Sequence, residues 1–143
     1  MLTNRRARFD YDLLDGYEAG LRLTGSEVKS LRQGGGSIAE AYVRVAGGEA
    51  WLENMTIPLY EQASYNNHEQ KRPRKLLLKK REIAEIARAQ QRGGLTCVPT
   101  KLYFKDGWAK VKIHVARGRK KHDKRRAERE KEVRKQIDRY VGN

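Results

Sequence analysis

The residues LYFKDGWAKVKIH, from Leu102 to His114, set aromatic rings and lysines at alternating positions. Lysine ammonium groups neutralise phosphates, while Tyr and Trp rings stack on unpaired bases or pack on sugars. Asp106-Gly107 is a strong two-residue hairpin turn. It predicts a register in which Lys101 faces Lys112, Leu102 faces Val111, Tyr103 faces Lys110, Phe104 faces Ala109, and Lys105 faces Trp108. One face then carries Leu102, Phe104, Ala109, Val111, Ile113 and Val115, a core set. The other carries Lys101, Tyr103, Lys105, Trp108, Lys110, Lys112 and His114. That second face reads either as a nucleic-acid surface or as a solvated strand face whose lysines discourage edge pairing.

Other residues offer less chemistry. RPRKLLLKKRE places basic residues on both sides of three leucines. It suggests a basic helix start that meets phosphates, with an exposed leucine against a nucleotide; the alternative is that all three leucines enter the core. Gly34-Gly35-Gly36 lacks the Lys-Ser/Thr of a P-loop and follows a helix pattern, so it reads as a helix stop. Cys97 lies between apolar neighbours in LTCVP, where packing is expected rather than reactivity. His68, His114 and His122 are far apart and have no cysteine partners, so no metal site is expected. No Ser or Cys nucleophile sits in a recognisable motif. A hydrolase built from a dispersed His, Glu and Lys has no positive signal, and a non-enzymatic protein without cofactors is expected.

The elements that position these residues follow from periodicity. Residues 7–23 read as extended, with the odd positions Tyr17, Ala19, Leu21 and Leu23 toward a core. Thr24 and Glu27 have capping-box spacing ahead of a short helix bearing Val28 and Leu31. AYVRVAGGEAWLENMTI reads as a hairpin turned at Gly47-Gly48. PLYEQASYNNHEQKRPR reads as a strand end followed by a polar, mobile loop. A second helix is expected from Lys75 to Arg92, with Ile83, Ile86 and Ala87 on one face and Gly93-Gly94 after it. Five or six strands with two helices and little parallel signal predict a mainly β fold with flanking helices, a small β-barrel of the OB type.

Charge bounds the partner. The chain has 143 residues, with 32 Lys+Arg against 18 Asp+Glu, a net charge of +14. A field of that sign attracts polyanions, of which phosphate backbones are the commonest. No apolar run approaches the ~20 residues of a transmembrane helix, and MLTNRRARFD lacks a signal-peptide segment. A single cysteine excludes an internal disulfide framework. A cytoplasmic location, with no membrane partner, is expected. From Gly118 to Asn143 there are 11 Lys+Arg and 5 Asp+Glu, so +6 of the +14 lies in that stretch. Its apolar residues, Ala127, Val133, Ile137, Tyr140 and Val141, are too few to fold alone. The expected division is a body over 1–117 and a basic C-terminal tail over 118–143. The tail is read as disordered when free and helical when laid on a partner.

These segments resemble the bacterial SsrA-binding protein family, also called small protein B. The resemblance rests on NRRARFDY, GYEAGLRLTGSEVKSLRQG, AYVRV with GEAWLENMTI, RPRKLLLKKREI, LYFKDGWAKVKIHVARGRKK and HDKR, in family order over nearly the whole chain. It implies an OB-type barrel that binds transfer-messenger RNA at its tRNA-like domain and delivers it to stalled ribosomes for trans-translation. The second implied partner is the ribosome, at the small-subunit decoding centre and mRNA channel. A monomer is expected. Carried over by position, the RNA-contacting residues are Asn4, Glu18, Leu77, Lys79 and Lys110. The hairpin face adds Lys101, Tyr103 and Lys112. The tail motif that acts on the ribosome spans Gly118, Arg119, Lys120, Lys121, His122, Asp123, Lys124 and Arg125, with His122 stacking on a decoding-centre base. Arg119 stands where the family usually has Lys. Lys79 stands where the family varies, and Gly35-Gly36 replaces a basic-small pair.

Overall fold

The computed structural model describes residues 1–60 and 67–119. Three helices and seven strands are present among them: β1 (Leu2–Thr3), α1 (Ala7–Asp10), β2 (Tyr11–Leu21), α2 (Gly25–Arg32), β3 (Tyr42–Ala46), β4 (Glu49–Glu53), β5 (Arg74–Leu77), α3 (Lys80–Gln91), β6 (Leu95–Lys105) and β7 (Trp108–Gly118). All strand pairs are antiparallel, in the order β1-β6-β7-β2-β5-β4-β3. The sheet curls so that β3, at one end of that order, lies against β6 near the other. The result is the small, mainly β barrel with flanking helices that the sequence predicted.

Local signals set much of this. Asp106 and Gly107 take the positive φ of a tight turn, and β6 and β7 pair from Lys105↔Trp108 to Lys101↔Lys112 in the predicted register. A bulge between Pro99 and Lys101 then shifts the alternation. Cys97 enters the main core, whereas Val98 is buried in a second cluster with Ala7 of α1 and Ala116. The β3–β4 hairpin turns at Gly47-Gly48, both at positive φ. Thr24 and Glu27 complete a capping box at the start of α2. Gly34, at φ 88°, ends it.

The core joins the inner faces of the sheet to α2 and α3. Ala19, Leu21, Leu52, Ile57, Leu76, Ile86, Leu102, Val111 and Ile113 are all buried within it. Cys97 is fully buried, and burial pushes its thiol up to about 12. That environment suits packing and opposes thiolate chemistry.

Three expectations need correction. Residues 7–10 are not extended: they form α1, held by bonds from Phe9 and Asp10 amides to the Arg6 carbonyl. Lys75 to Arg92 is not one helix. Arg74–Leu77 is strand β5, inserted between β2 and β4, and the helix starts only at Lys80. The stretch from Pro58 does not open with a strand end, since β4 stops at Glu53. Its loop falls partly on residues 61–66, outside the described residues. At the expected division between body and tail, pairing runs on to Gly118 and Arg119. Gly118 pairs with Tyr11, the Arg119 amide donates to the Asp10 carbonyl at 2.9 Å, and Arg119 Nε meets Asp12 Oδ1 at 2.9 Å. The predicted tail helix lies in residues 120–143, outside the described residues.

Arg72 and Arg74 also depart from the reading of RPRKLLLKKRE as a basic helix start that meets phosphates. Glu27 is fully buried beneath α2, and Arg74 is fully buried beside it. Arg74 Nε donates to Glu27 Oε2 at 2.6 Å, and Arg72 donates to Oε1. The remaining Arg74 donors reach the carbonyls of Met55, Glu69 and Gln70. Burial alone would raise the Glu27 carboxyl; the bonds from Arg72, the Thr24 amide and Arg74 outweigh it and hold the carboxyl below its usual range. Arg74 thus ties β5 to α2 from within the core, and the partly exposed Arg72 backs the same carboxylate.

Candidate nucleic-acid interface

The outer face of β5, β2, β7 and β6 collects most of the predicted residues into rows. Strand pairing aligns Leu77, Gly20, Lys110 and Tyr103 across four strands. The next row holds Glu18, Lys112 and Lys101, with Thr3 of β1 at its end. Gly16 and His114 form a third pair. These residues share a face because side chains alternate along each strand, so the positions two apart that follow the turn all point outward. Lys105 and Trp108 extend the face to the hairpin tip, where Trp108 is 73% exposed and so not packed on the protein.

Glu18 is the one carboxylate in its row. The Tyr103 hydroxyl donates to Glu18 Oε2, and Lys105 Nζ approaches Oε1 at 4.0 Å. The Tyr103 bond, helped by Lys105, Lys110 and Lys112, holds the Glu18 carboxyl below its usual range. In return, that bond pushes the Tyr103 phenol up to about 12. At neutral pH this is an ionised acceptor beside a neutral phenol, ringed by lysines. Lys101 Nζ lies 5.9 Å from the Tyr103 ring centroid, within cation–π range.

Leu77 is half exposed beside the bare backbone of Gly20, where an added Cβ would lie 3.1 Å from Leu77 Cβ. Its neighbour Leu76 is buried, so the three leucines divide between core and surface. Lys79 is exposed at the N-cap of α3, and its amide donates to Glu82 Oε1 at 2.9 Å.

Asn4 is placed differently. It is buried, and its Nδ2 donates to Pro99 O at 3.0 Å and Ile38 O at 3.4 Å. Its amide donates to Thr100 O at 2.8 Å. Asn4 thus clasps the segment before α1 to β6, and its Oδ1 is buried with no partner among the described residues. Of the tail set, Gly118 and Arg119 lie at the end of β7, on the body. Lys120, Lys121, His122, Asp123, Lys124 and Arg125 fall outside the described residues.

Sequence reasoning assigned no separate role to Arg5 and Arg8, exposed beside the lysine rows. The arginines of NRRAR were a signal, but the short α1 that carries Arg8 was not foreseen. Among the described residues, no group of three or more His, Cys, Asp or Glu could hold a metal ion. No helix there is long and apolar enough to cross a membrane.

Comparison with known proteins matches this architecture. The family model described as SmpB protein matches residues 1–143. An SsrA-binding protein of Streptomyces coelicolor is 51% identical over 138 residues, 96% of this chain and 87% of the relative. An SsrA-binding protein of Deinococcus radiodurans is 50% identical over 135 residues, 94% of each chain. A solved chain described as "tmRNA-SmpB: a journey to the center of the bacterial ribosome" superposes with a TM-score of 0.71 at 45% identity, over 89% of this chain and 93% of that one. Matched along its whole length in sequence and nearly all of it in fold, the chain belongs to the SmpB protein family.

Proposed function

We propose that this protein binds transfer-messenger RNA at its tRNA-like domain and delivers it to stalled ribosomes for trans-translation. Membership of the SmpB family supports this, as do relatives named SsrA-binding protein and a structural neighbour described with tmRNA on the bacterial ribosome. The observation that carries the reading is the outer face itself: four strands place Lys101, Lys110 and Lys112 around the Glu18–Tyr103 pair, with Leu77 at the edge. Lysines neutralise phosphates, whereas the Glu18 carboxylate accepts hydrogen bonds from base or sugar donors. Leu77 supplies an apolar contact and Lys79 a further cation. Asn4 contributes by fixing the edge of the face.

Residues 1–117 would grip the RNA and 118–143 would act on the ribosome, with Gly118 and Arg119 as the junction. In this reading Lys120, Lys121, His122, Asp123, Lys124 and Arg125 act at the decoding centre and the empty mRNA channel. The protein performs no bond chemistry of its own. The test is deletion of 120–143, which keeps the Arg119 anchor. Expected are unchanged tmRNA affinity and loss of peptide tagging on stalled ribosomes. Normal tagging by the truncated chain would overturn the two-part reading. Equal affinity for tmRNA, ordinary tRNA and single strands in competition would overturn the specific partner.

A further inference from the structure

The outer face continues beyond the Glu18–Tyr103 pair into a concavity. A cleft of ≈ 750 Å³ lies between the α1 segment and the β6–β7 rows, lined by Arg5, Arg8, Lys101, Lys112 and His114. A second cleft, of ≈ 370 Å³, shares Arg8, Thr100 and His114 with the first and reaches Arg119. The two form one groove from the lysine row to the root of the tail.

Its charge is mostly free of direct ion pairs. No ion pair among the described residues engages Arg5, Arg8, Lys101 or Lys112. Paired cations lie elsewhere, as at Arg44–Glu53 and Lys75–Glu49, or at the far end of the groove, where Arg119 meets Asp12. Like charges held unpaired along a concave wall repel one another and concentrate a positive field. The wall is also rigid. Asn4 fixes the approach to α1 through bonds to Pro99, Thr100 and Ile38. His114 sits against Gly16, with its Nδ1 3.2 Å from the Leu14 carbonyl.

We propose that this groove seats a phosphodiester backbone: an RNA strand leaving the Glu18–Tyr103 pair runs past Arg5, Arg8 and His114 toward Arg119. The inference rests on the RNA-binding reading and adds to it a second, phosphate-directed segment with a direction. A nucleic-acid strand carries a charge at every residue, which suits cations spread along a line. An acidic peptide would need a matching run of carboxylates. The arginines supply forked donors for phosphate oxygens. With Nδ1–H donated to Leu14, His114 keeps Nε2 to accept a ribose hydroxyl.

The experiment measures tmRNA binding by the full chain across a salt series, for wild type, R5A/R8A, R5Q/R8Q and K110A. The glutamine pair keeps polarity and guards against a folding defect, which melting curves report. Removing one cation that neutralises a phosphate lowers the slope of log K against log salt by about 0.7–0.9. Both arginine pairs are therefore expected to show a slope smaller by between one and two and to bind roughly tenfold more weakly at physiological salt. A slope and affinity equal to wild type in both pairs, while K110A binds weakly, would overturn the groove and leave the RNA face standing; an acidic partner for the groove would give this result. Wild type that prefers tmRNA no more than heparin would overturn the functional reading beneath it.

Discussion

The Tyr103 hydroxyl reaches across β7 to the Glu18 carboxylate on β2, passing between Lys110 and Lys112. One neutral donor thus fixes the orientation of the single acceptor among several cations. Without it, the carboxylate would pair with a neighbouring lysine and leave the acceptor role unfilled.

Tyr103→Phe removes that donor with little change in shape. Stability should change little, because the bond lies at the exposed surface. The tmRNA dissociation constant should rise about three- to tenfold, through loss of one charge-assisted bond that orients Glu18. In the wild type, absorbance titration should place the Tyr103 phenol at about 12. In Glu18→Gln it should fall toward its ordinary value, because the carboxylate that raises it is gone.

The buried Glu27 gives the opposite kind of prediction. Its carboxyl is held below the usual range in the folded protein. A depressed carboxyl stabilises the fold above its unfolded pKa, and that contribution is lost as pH falls through the lower folded value. Glu27→Gln should lower stability at neutral pH by about 3–5 kcal/mol, since Arg74 would remain buried without its counter-charge. Melting curves from pH 7 downward should show a flatter acid limb in the variant. An unchanged limb would remove Glu27 from the acid response.

Gly16 is needed for contact rather than for φ. A Cβ there would lie 2.7 Å from His114 Cε1, so Gly16→Ala must displace the ring from Leu14 O. A cost of about 1–2 kcal/mol is expected. The double variant Gly16→Ala/His114→Ala should recover most of it. Additive losses in the cycle would mean the two positions do not communicate.

Leu76 and Leu77 should separate folding from binding. Leu76→Ala opens the core and should cost about 2–5 kcal/mol. Leu77→Ala should leave the melting temperature nearly unchanged yet weaken tmRNA binding. A large stability loss at Leu77 would make it a packing residue.

The sequence was most legible where structure is local. Asp106-Gly107 fixes the β6–β7 register from adjacent residues, and Thr24 with Glu27 caps α2 within one turn. The misreadings fall where partners are distant. Leu76, Leu77 and Leu78 carry no period of their own, and β5 forms only because β2 and β4 flank it. Arg74 read as part of a basic helix start, yet it is buried against Glu27, 47 residues away. The site followed the same rule. The lysine–aromatic face of the hairpin was readable, but the Glu18–Tyr103 bond spans 85 residues and has no local signature. The residues before α1 are held by a clasp to Pro99, 95 residues on.

The Arg119 anchor has a mechanical consequence. The C-terminal stretch leaves from the end of β7, which is paired along both edges, to β2 and to β6. A pull on residue 119 along the strand axis loads both ladders in shear, so many hydrogen bonds must yield together rather than peel one by one. The first to give would be the clamp on Asp10 and Asp12, a short fuse ahead of a stiff beam. Tension arriving from the tail would therefore be felt along the strand that carries Lys110 and Lys112 before it could unravel the barrel.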